Sequence, residues 1–288
     1  MSSFIKTHKH HFNFKKFISL ALLEDTGDGD HTSLSTIPKH QKGKMKLLVK
    51  DGGIIAGVEA AKHIFKQIDD KLKVKIHIKD GEKIKKGDVA FTLEGHVQSM
   101  LLGERLVLNI MQRMSGIATK AQYLQKLCTG SHAKVIDTRK TTPGFRFFEK
   151  WAVVIGGGAN HRYGLFDMIL IKDNHIDFAG GIVEAIEAAN DYLKKTGRKM
   201  NIEVETRNLD DVKKVLAHGG VQRIMLDNFT PELTKKAVLL IQKKFEVESS
   251  GGITENNIQS YAKAGVNFIS IGALTHNVKS LDLSLKAI

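Results

Sequence analysis

Hydrophobic and polar positions follow different periods in different parts of this chain. From about Gly43 to Gly95, short alternating or apolar stretches are separated by glycines, which predicts a small mixed sheet with one helix around residues 58–68. Within this region, DGEKIKKGDVAFTLEG (80–95) predicts a pair of strands. Over residues 97–127 the apolar positions follow helical spacing and predict a long helix.

Beyond residue 130, a short apolar run stops repeatedly at polar or glycine residues, and a helical stretch often follows. Alternating strands and helices predict a parallel sheet, and polar groups after successive strands are typical of α/β barrels, whose sites lie at the carboxyl ends of the strands. Because residues 130–275 are fewer than the roughly 250 usual for eight units, we expect a reduced or open barrel. Its six predicted strands are KVID (134–137), MILI (168–171), NIEVE (201–205), RIML (223–226), FEVE (245–248) and NFISI (267–271).

The composition narrows the class of protein. With 288 residues and 42% hydrophobic content, the chain can bury a globular core. The single cysteine, Cys128, excludes an intramolecular disulfide, and neither a cysteine cluster nor an H-E-x-x-H pattern indicates zinc. The apolar runs are far shorter than the roughly 20 residues of a membrane helix. We therefore expect a cytoplasmic protein that does not bind membranes.

The N-terminal segment allows a second interpretation. No acidic residue precedes Glu24, and four lysines stand before the apolar FISLALL, as in a targeting peptide. No small-residue cleavage pattern follows. Instead, LLEDTGDGDHTS favours an amphipathic helix that ends in a Gly/Asp loop.

A net charge of +13, from 44 basic and 31 acidic residues, indicates either nucleic acid or an anionic small molecule as the ligand. Much of the excess is lysine scattered along predicted helix and strand faces, which is typical of a solvated surface. The sequence has no zinc finger, aromatic RNA-binding signature or heptad-linked basic region. An anionic small molecule is therefore favoured, and we expect no nucleic-acid partner.

The first three strand ends supply cations. Arginine offers a planar fork that matches carboxylates, whereas lysine acts as a point charge for phosphate or carboxylate. Cations that share one mouth repel each other unless a multiply charged anion lies between them; alternatively, some pair with Asp137, Asp167 or Asp173. The candidates are Arg139, Lys140, His161, Arg162 and Lys172.

The last two strand ends, SSGG (249–252) and IGAL (271–274), carry glycine, which lets the backbone approach a phosphate. Barrels often bind phosphate after their final two strands. Between these two sets lie Glu203, Glu205 and Asp227, and carboxylates near a polyphosphate commonly hold magnesium. One of the acids could instead neutralise a lysine, Lys172 or Lys140.

The block EKWAVVIGGGANHRYGLFDMILIKDNH (149–175) resembles quinolinate phosphoribosyltransferase, also called nicotinate-nucleotide pyrophosphorylase (carboxylating). The sequence departs from the family pattern at Leu106, usually threonine, and at Phe145, usually leucine; neither is a charged ligand. The resemblance covers nearly the whole chain. Its other motifs are EDTGDGDHTS (24–33), GERLVLNIMQRMSGIAT (103–119), DTRKTTPGFR (137–146), IEVET (202–206), IMLDN (224–228), ESSGGIT (248–254) and IGALTH (271–276).

The resemblance implies both a fold and a reaction. The fold is an α/β class in which an N-terminal α/β sandwich domain, residues 1–115 joined by the tail 276–288, precedes an open α/β barrel over residues 116–275. The reaction transfers the phosphoribosyl group of phosphoribosyl pyrophosphate to quinolinate with decarboxylation. It gives nicotinate mononucleotide, pyrophosphate and CO2, a step of de novo NAD biosynthesis.

The same resemblance implies a homodimer and three groups of site residues. The carboxylates of quinolinate would contact Arg105 from the partner chain, Thr138, Arg139, His161, Arg162 and Lys172. The catalytic residues that hold phosphoribosyl pyrophosphate would be Lys140, Glu205 and Asp227, the two acids through Mg²⁺; the family's acid is the second in its E-V-E pattern, which selects Glu205. The 5-phosphate would be bound by Ser250, Gly251, Gly252, Gly272 and Ala273, with His276 beside it.

Three other functions stay open. A related phosphoribosyltransferase with a different acceptor, such as the molybdenum-operon relative, would keep the phosphate residues but change the carboxylate-binding arginines; Arg105, Arg139 and Arg162 are all present. A basic nucleic-acid-binding protein would show strongly salt-dependent binding. A degenerate barrel kept for structure is disfavoured by the full set of polar strand ends.

Overall fold

The structure is a computed structural model that describes residues 3–8 and 10–288. Its helices are α1 (Ser3–His8), α2 (Phe14–Thr26), α3 (His31–Thr36), α4 (Val58–Ile68), α5 (Val97–Leu127), α6 (Arg146–Ile155), α7 (Asp173–Ala179), α8 (Ile182–Thr196), α9 (Leu209–His218), α10 (Pro231–Ile241), α11 (Ile258–Ala264) and α12 (Ala273–His276). Its strands are β1 (Lys42–Val49), β2 (Gly53–Ile54), β3 (Lys73–Ile76), β4 (Lys83–Ile84), β5 (Val89–His96), β6 (Lys134–Ile136), β7 (Ile169–Ile171), β8 (Ile202–Thr206), β9 (Arg223–Asp227), β10 (Glu246–Ser250), β11 (Phe268–Ser270) and β12 (Leu283–Ala287).

These residues form two compact units. The first comprises the described residues up to Gln122, Thr142–Gly157 and Asn277–Ile288, and the second comprises Tyr123–Thr141 and Gly158–His276. The domain boundaries inferred from the sequence stay a prediction. Within the described ranges, no helix combines the length and apolar content that crossing a membrane requires.

The first unit contains an antiparallel sheet with strand order β12-β1-β5-β3. Its C-terminal strand β12 pairs with β1, for example Met45 with Ala287. Helix α4 covers the predicted residues 58–68 and buries Phe65 against Phe91 of β5, with ring centroids 6.2 Å apart. Helix α5 spans the predicted residues 97–127. The two helices therefore form where the hydrophobic pattern predicts them. The mixed sheet expected from that pattern is wrong, because every strand pairing that the structure describes in this unit is antiparallel.

The strand pair expected in residues 80–95 is wrong in its pairing. Both strands are present, but β4 pairs with β2, whereas β5 pairs with β1 and β3. The turn at Gly87, with φ at 95°, separates the two strands without joining them in a hairpin. Pairing two strands that are neighbours in sequence loses the least loop-closure entropy. However, β1 is eight residues long and forms more backbone and side-chain contacts with β5 than the two-residue strand β4 could.

The second unit is built on a parallel sheet of six strands in the order β6-β11-β10-β9-β8-β7. Each of the six predicted strands is present within two residues of its expected bounds. No strand pairing joins β6 to β7 in the part of the chain that the structure describes, so the sheet stays open. The predicted fold class, an α/β sandwich followed by an open barrel of six parallel strands, is confirmed.

Side-chain caps start the helices that follow β8 and β9 soon after these strands end. Asn208 accepts hydrogen bonds from the backbone N–H groups of Asp210 (3.0 Å) and Asp211 (2.9 Å), which starts α9 soon after β8. Thr230 accepts one from Leu233 N–H at 3.2 Å and starts α10 after β9, with Pro231 in the first turn. The strand ends therefore stay short, and their polar residues face a common mouth.

Candidate active site

A cavity of about 770 Å³ opens at the carboxyl ends of the six parallel strands, entirely within the second unit. Every strand end contributes to its wall. The cavity therefore lies where the strand-end pattern predicts it. Of the residues selected from the sequence, it brings together Thr138, Arg139, Lys140, His161, Arg162, Lys172, Glu205, Asp227, Ser250, Gly251, Gly252, Gly272, Ala273 and His276.

Arg105 is not among the residues that line this cavity. It lies on α5 in the first unit, and its side chain is exposed. A single chain thus assembles all the selected residues except the one for which a second chain was expected.

The cations of the wall are held by few acidic partners. Among the described residues, Lys172 is the one of the four Lys and Arg side chains with an ion pair within 4 Å; its Nζ lies 3.8 Å from Glu205 Oε2. Arg162 Nη1 donates to the Met168 carbonyl at 3.2 Å. Burial, and then the nearby guanidinium of Arg139, lower the pKa of Arg162. This concentration of positive charge favours an anionic ligand.

The acids expected to neutralise these cations have other partners. Asp137 is fully buried and accepts from the backbone N–H of His161 at 3.0 Å. Asp167 accepts from the backbone N–H groups of Tyr163 (2.7 Å) and Gly164 (2.9 Å). These carboxylates shape the loop. The Asp167 charge also opposes the lowering of the Arg162 pKa, but burial and Arg139 outweigh it.

Glu205 and Asp227 lie on the neighbouring strands β8 and β9 and both line the cavity. Burial, and then the Asp227 carboxylate, raise the pKa of Glu205; burial also raises the pKa of Asp227, and Asn228 opposes this with a side-chain N–H 2.6 Å from Asp227 Oδ2. Glu205 is buried and Asp227 is partly exposed. Two carboxylates that repel each other are oxygen donors of the kind that Mg²⁺ prefers. The donor set thus fits a magnesium ion.

The two glycine-bearing loops leave backbone exposed to the cavity. Gly251 and Gly252 adopt φ values of 86° and 62°. A Cβ on Gly251 would lie 2.3 Å from Asn228 Oδ1, and a Cβ on Gly272 would lie 3.1 Å from Lys140 Cδ. Glycine is thus required sterically at Gly251, and Gly272 lets the Lys140 side chain pass close to the backbone.

We expect Gly251→Ala to raise the KM for phosphoribosyl pyrophosphate by about tenfold relative to Gly252→Ala, because strain of 1–3 kcal/mol at such positions is typical. Gly252 is the matched control: it also has a positive φ, but nothing lies within 4 Å of its added Cβ. Steady-state kinetics with each substrate varied would measure the difference. Equal effects of the two substitutions would show that contact with Asn228 does not matter.

Polar side chains continue below the cavity into the barrel interior. Side chains alternate along a strand, so Glu203 shares a face with Glu205, and Glu248 shares a face with Ser250. Glu203 and Glu248 are fully buried. The interior of this barrel therefore holds a layer of carboxyl groups where branched apolar residues usually dominate.

This layer surrounds His161. Its Nε2 lies 3.0 Å from Glu203 Oε2 and 3.5 Å from Glu248 Oε2. Arg223 Nη1 lies 3.2 Å from Glu248 Oε2 on the other side. Burial raises the pKa of Glu203 to about 7, and burial and then the Glu203 carboxyl raise the pKa of Glu248 to about 8. The two carboxyl groups are thus favoured in a state that retains a proton.

His161, Glu203 and Glu248 are close enough together to be considered as metal ligands. However, His161 Nδ1 accepts the backbone N–H of Arg162 at 2.7 Å, which places the proton of the neutral ring on Nε2, the atom that faces the carboxyl groups. A protonated nitrogen does not bind a metal ion. Electrostatic attraction between the ring N–H and the two carboxyl groups explains the trio better than a metal site.

Several cavity residues were missed by the sequence analysis: Asn228, Glu248, Thr254 and Ser270. For Glu248 the signal was present, since it lies two positions before Ser250 on a predicted strand and so shares its face. Asn228 adopts a positive φ of 55°, which a sequence pattern alone does not show. The other two are small hydroxyl residues with no distinguishing pattern.

Models of the N-terminal and C-terminal domains of quinolinate phosphoribosyl transferase match residues 30–115 and 117–286. The chain belongs to the quinolinate phosphoribosyltransferase family. A chloroplastic nicotinate-nucleotide pyrophosphorylase [carboxylating] of Arabidopsis thaliana is 46% identical over 96% of this chain and 83% of its own. A probable nicotinate-nucleotide pyrophosphorylase [carboxylating] of Bacillus subtilis is 41% identical over 96% of this chain and 94% of its own length.

The fold is likewise that of solved quinolinate phosphoribosyltransferase relatives. The structure of the nicotinate-nucleotide pyrophosphorylase from Francisella tularensis superposes with a TM-score of 0.88 at 38% identity, covering 96% of each chain. The resemblance drawn from the motifs is confirmed by these independent comparisons.

The buried pair of carboxyl groups, Glu203 and Glu248, predicts a pH-dependent stability. An unfolded glutamate has a pKa near 4.5, below the values of about 7 and about 8 in the fold. Between these limits the folded chain binds more protons than the unfolded chain, so stability falls as pH rises. We expect the melting temperature to decrease from pH 6 to pH 9, and less so in Glu248→Gln. An unchanged slope in that variant, measured by circular dichroism, would contradict the pKa of Glu248.

Proposed function

We propose that the cavity of the second unit is the active site in which quinolinate and phosphoribosyl pyrophosphate react. The activity is that of the family: transfer of the phosphoribosyl group to quinolinate with decarboxylation, which gives nicotinate mononucleotide, pyrophosphate and CO2 in NAD biosynthesis. One observation carries the assignment of the site. The cavity gathers cations, acids and glycine loops from all six strand ends of one sheet.

The carboxylate end of this site would be formed by residues after β6 and before and after β7. Arg139 and Arg162 offer planar forks for the two carboxylates of quinolinate, and Lys172 adds a point charge. Thr138 and His161 complete the wall on this side. Burial, and then the nearby Arg139, lower the pKa of Arg162, and a bound dianion would offset the repulsion by Arg139.

The opposite end would hold phosphoribosyl pyrophosphate. Ser250, Gly251, Gly252, Gly272 and Ala273 expose backbone for the 5-phosphate, with His276 beside them. Glu205 and Asp227 would hold Mg²⁺, which when bound neutralises charge on the pyrophosphate oxygens. Lys172 Nζ lies 3.8 Å from Glu205 Oε2, so a cationic side chain already approaches the oxygen that would face the metal.

The chemistry follows from these positions. Positive charge builds on the ribose as the bond from its anomeric carbon to pyrophosphate breaks, and the Lys140 ammonium stabilises the leaving oxygens. The pyridine nitrogen bonds to the anomeric carbon. The resulting ring cation accepts the electron pair released when the adjacent carboxylate leaves as CO2, and that ring carbon then takes a proton. Arg139, Arg162 and Lys172 orient the carboxylates throughout.

A homodimer would complete the site, with Arg105 of each chain reaching the cavity of its partner. Arg105 is exposed and has no role in its own cavity. Two large apolar side chains are also exposed, Leu165 (69%) in the loop before β7 and Phe178 (93%) on α7, and a second chain would cover them. These observations support the dimer as a proposal.

We expect Arg105→Ala to raise the KM for quinolinate far more than that for phosphoribosyl pyrophosphate, without loss of folding. A charge-assisted contact of this kind is worth roughly 1.5–3 kcal/mol, or about 10- to 150-fold. Arg198→Ala, at an exposed arginine of the second unit, is the control. Equal changes in both KM values would refute the assigned role, and a monomer by light scattering would refute the dimer.

The reaction itself is tested with purified protein, quinolinate, phosphoribosyl pyrophosphate and Mg²⁺, with nicotinate as the control acceptor. Formation of nicotinate mononucleotide and CO2 with quinolinate, but no product with nicotinate, would support the proposal. Omission of Mg²⁺ would test whether the reaction requires the metal ion. If neither acceptor reacts while phosphoribosyl pyrophosphate still binds, the acceptor is a different one, as in the molybdenum-operon relative. Salt-dependent binding of DNA or RNA would instead favour a nucleic-acid ligand.

We also propose a cytoplasmic location. The chain has a single cysteine, which is buried, so its fold requires no oxidising compartment. Detection of the protein in an organelle after cell fractionation would contradict this location.

A further inference from the structure

The segment Asn160–Arg162 carries two residues of the proposed quinolinate subsite, yet it belongs to no helix or strand. Side chains must therefore fix its shape. On one side the buried Asp137 accepts the backbone N–H of His161 at 3.0 Å and a side-chain N–H of Asn160. These contacts set the backbone of the segment, whereas the orientation of the His161 ring is set by contacts of the ring itself.

The orientation of the His161 ring matters because its Nδ1 accepts the backbone N–H of Arg162 at 2.7 Å. If the ring turned by 180° about its Cβ–Cγ bond, a ring carbon would take the place of each ring nitrogen. The backbone N–H of Arg162 would then lose this acceptor. What holds the ring lies on its other side, where Nε2 faces Glu203 Oε2 at 3.0 Å and Glu248 Oε2 at 3.5 Å. A proton on Nε2 is attracted to both oxygens.

Glu248 is itself held from below. Arg223 Nη1 donates to Glu248 Oε2 at 3.2 Å, while its Nε and Nη2 donate to Glu246 Oε2 at 3.2 and 3.1 Å. The guanidinium carbon lies 3.9 Å from the ring centroid of Phe268. A planar group held on three sides fixes the position of the carboxyl oxygen that faces His161.

We propose that Glu248 is a positioning residue for the quinolinate subsite: with Glu203 it holds His161 in the tautomer protonated on Nε2, and through the ring it fixes the backbone and side chain of Arg162. The inference rests on the proposed function of the cavity. It explains why a fully buried carboxyl group lies under a site for anions. In this role the group acts through the ring, and hence through the arginine, which it keeps in one arrangement.

Glu248→Gln tests the proposal with a nearly isosteric side chain. The amide offers an N–H donor, which competes for Nε2 and favours the other tautomer. We expect the KM for quinolinate to rise about tenfold, the equivalent of one lost hydrogen bond, and the KM for phosphoribosyl pyrophosphate to change less than about twofold. Glu246→Gln is the matched control, because Glu246 contacts the same Arg223 but does not reach His161.

The tautomer can be read directly in the unsubstituted protein. Selective ¹⁵N labelling of histidine, with His161→Asn to assign the signal, gives ring nitrogen shifts that distinguish Nε2–H, Nδ1–H and the doubly protonated ring. We expect Nε2–H near neutral pH, and a shift away from it in Glu248→Gln but not in Glu246→Gln. This readout needs neither a substrate nor a stable Glu248 variant for its first part.

The outcomes separate the proposal from the function on which it rests. A ring of the unsubstituted protein protonated on Nδ1, or on both nitrogens, would overturn the role of Glu248 whatever the protein catalyses. So would a Glu248→Gln enzyme whose two KM values match those of Glu246→Gln. Failure of the unsubstituted protein to convert quinolinate would instead refute the proposed function, while the tautomer would still be measured.

Discussion

Substitution of Lys140 by methionine should lower kcat by about 10²- to 10³-fold, since removal of one group that stabilises developing negative charge has that order of effect. Lys140 follows β6 and lines the cavity. Its backbone is fixed at both ends, because its N–H donates to Thr138 Oγ1 at 3.1 Å and its carbonyl accepts from Thr275 Oγ1 at 2.7 Å. The side chain passes beside Gly272, in one of the phosphate loops.

The pattern of kinetic change identifies the role of Lys140. A group that acts on the leaving pyrophosphate changes kcat, whereas one that only binds carboxylate would raise the KM for quinolinate. Lys134→Met is the control, because Lys134 is exposed at the opposite end of the same strand. Single-turnover experiments give the rate constant of the chemical step, separate from product release. An unchanged kcat with a raised KM for quinolinate would move Lys140 to the carboxylate subsite.

Glu149→Ala should lower the free energy of unfolding by about 3 kcal/mol or more, in the range for breaking a buried ion pair by removal of one partner. The Glu149 side chain is fully buried in α6. Its Oε1 accepts from Arg113 Nε at 3.1 Å, Arg113 Nη2 at 2.9 Å and Thr142 Oγ1 at 2.9 Å, and its Oε2 accepts from Thr142 N–H at 3.0 Å. The substitution leaves these donors without their acceptor.

The expected loss lies toward the lower end of the 3–5 kcal/mol range, because the Arg113 side chain is 24% exposed and can turn partly to water. Glu187→Ala is the control, since Glu187 is exposed on α8 and should change stability by less than about 0.5 kcal/mol. Urea denaturation followed by circular dichroism measures both. Similar midpoints for the two variants would show that the Glu149 contacts contribute little.

Much of the second unit could be predicted because its strands carry a strong local signal. NIEVE and RIML are short apolar runs that stop at polar residues, and they became β8 and β9 within a residue of the expected bounds. Parallel strands of one sheet place their carboxyl ends together, so residues far apart in sequence, such as Arg139 and Asp227, could be expected to share a cavity. The structure places both in its wall.

Other features depend on contacts that local patterns do not encode. The partners of β5 are β1 and β3, not the nearer β4, because pairing is decided by which backbone lies alongside it. Glu248 was part of a predicted strand, but nothing in FEVE indicates that Arg223 and His161 would meet it in the barrel interior. Arg105 became meaningful through family resemblance, not through its helical position.

The sequence alone determined the six strands, the long helix, the polar character of each strand end and the family, because hydrophobic period and motif residues are local properties of the chain. The tertiary structure decided which carboxyl groups are buried together, which raises the pKa of Glu203 and Glu248, and which nitrogen of His161 faces them. These are properties of distance and solvent exclusion between residues 161, 203 and 248. They arise only when the strands are brought side by side and water is removed from between them.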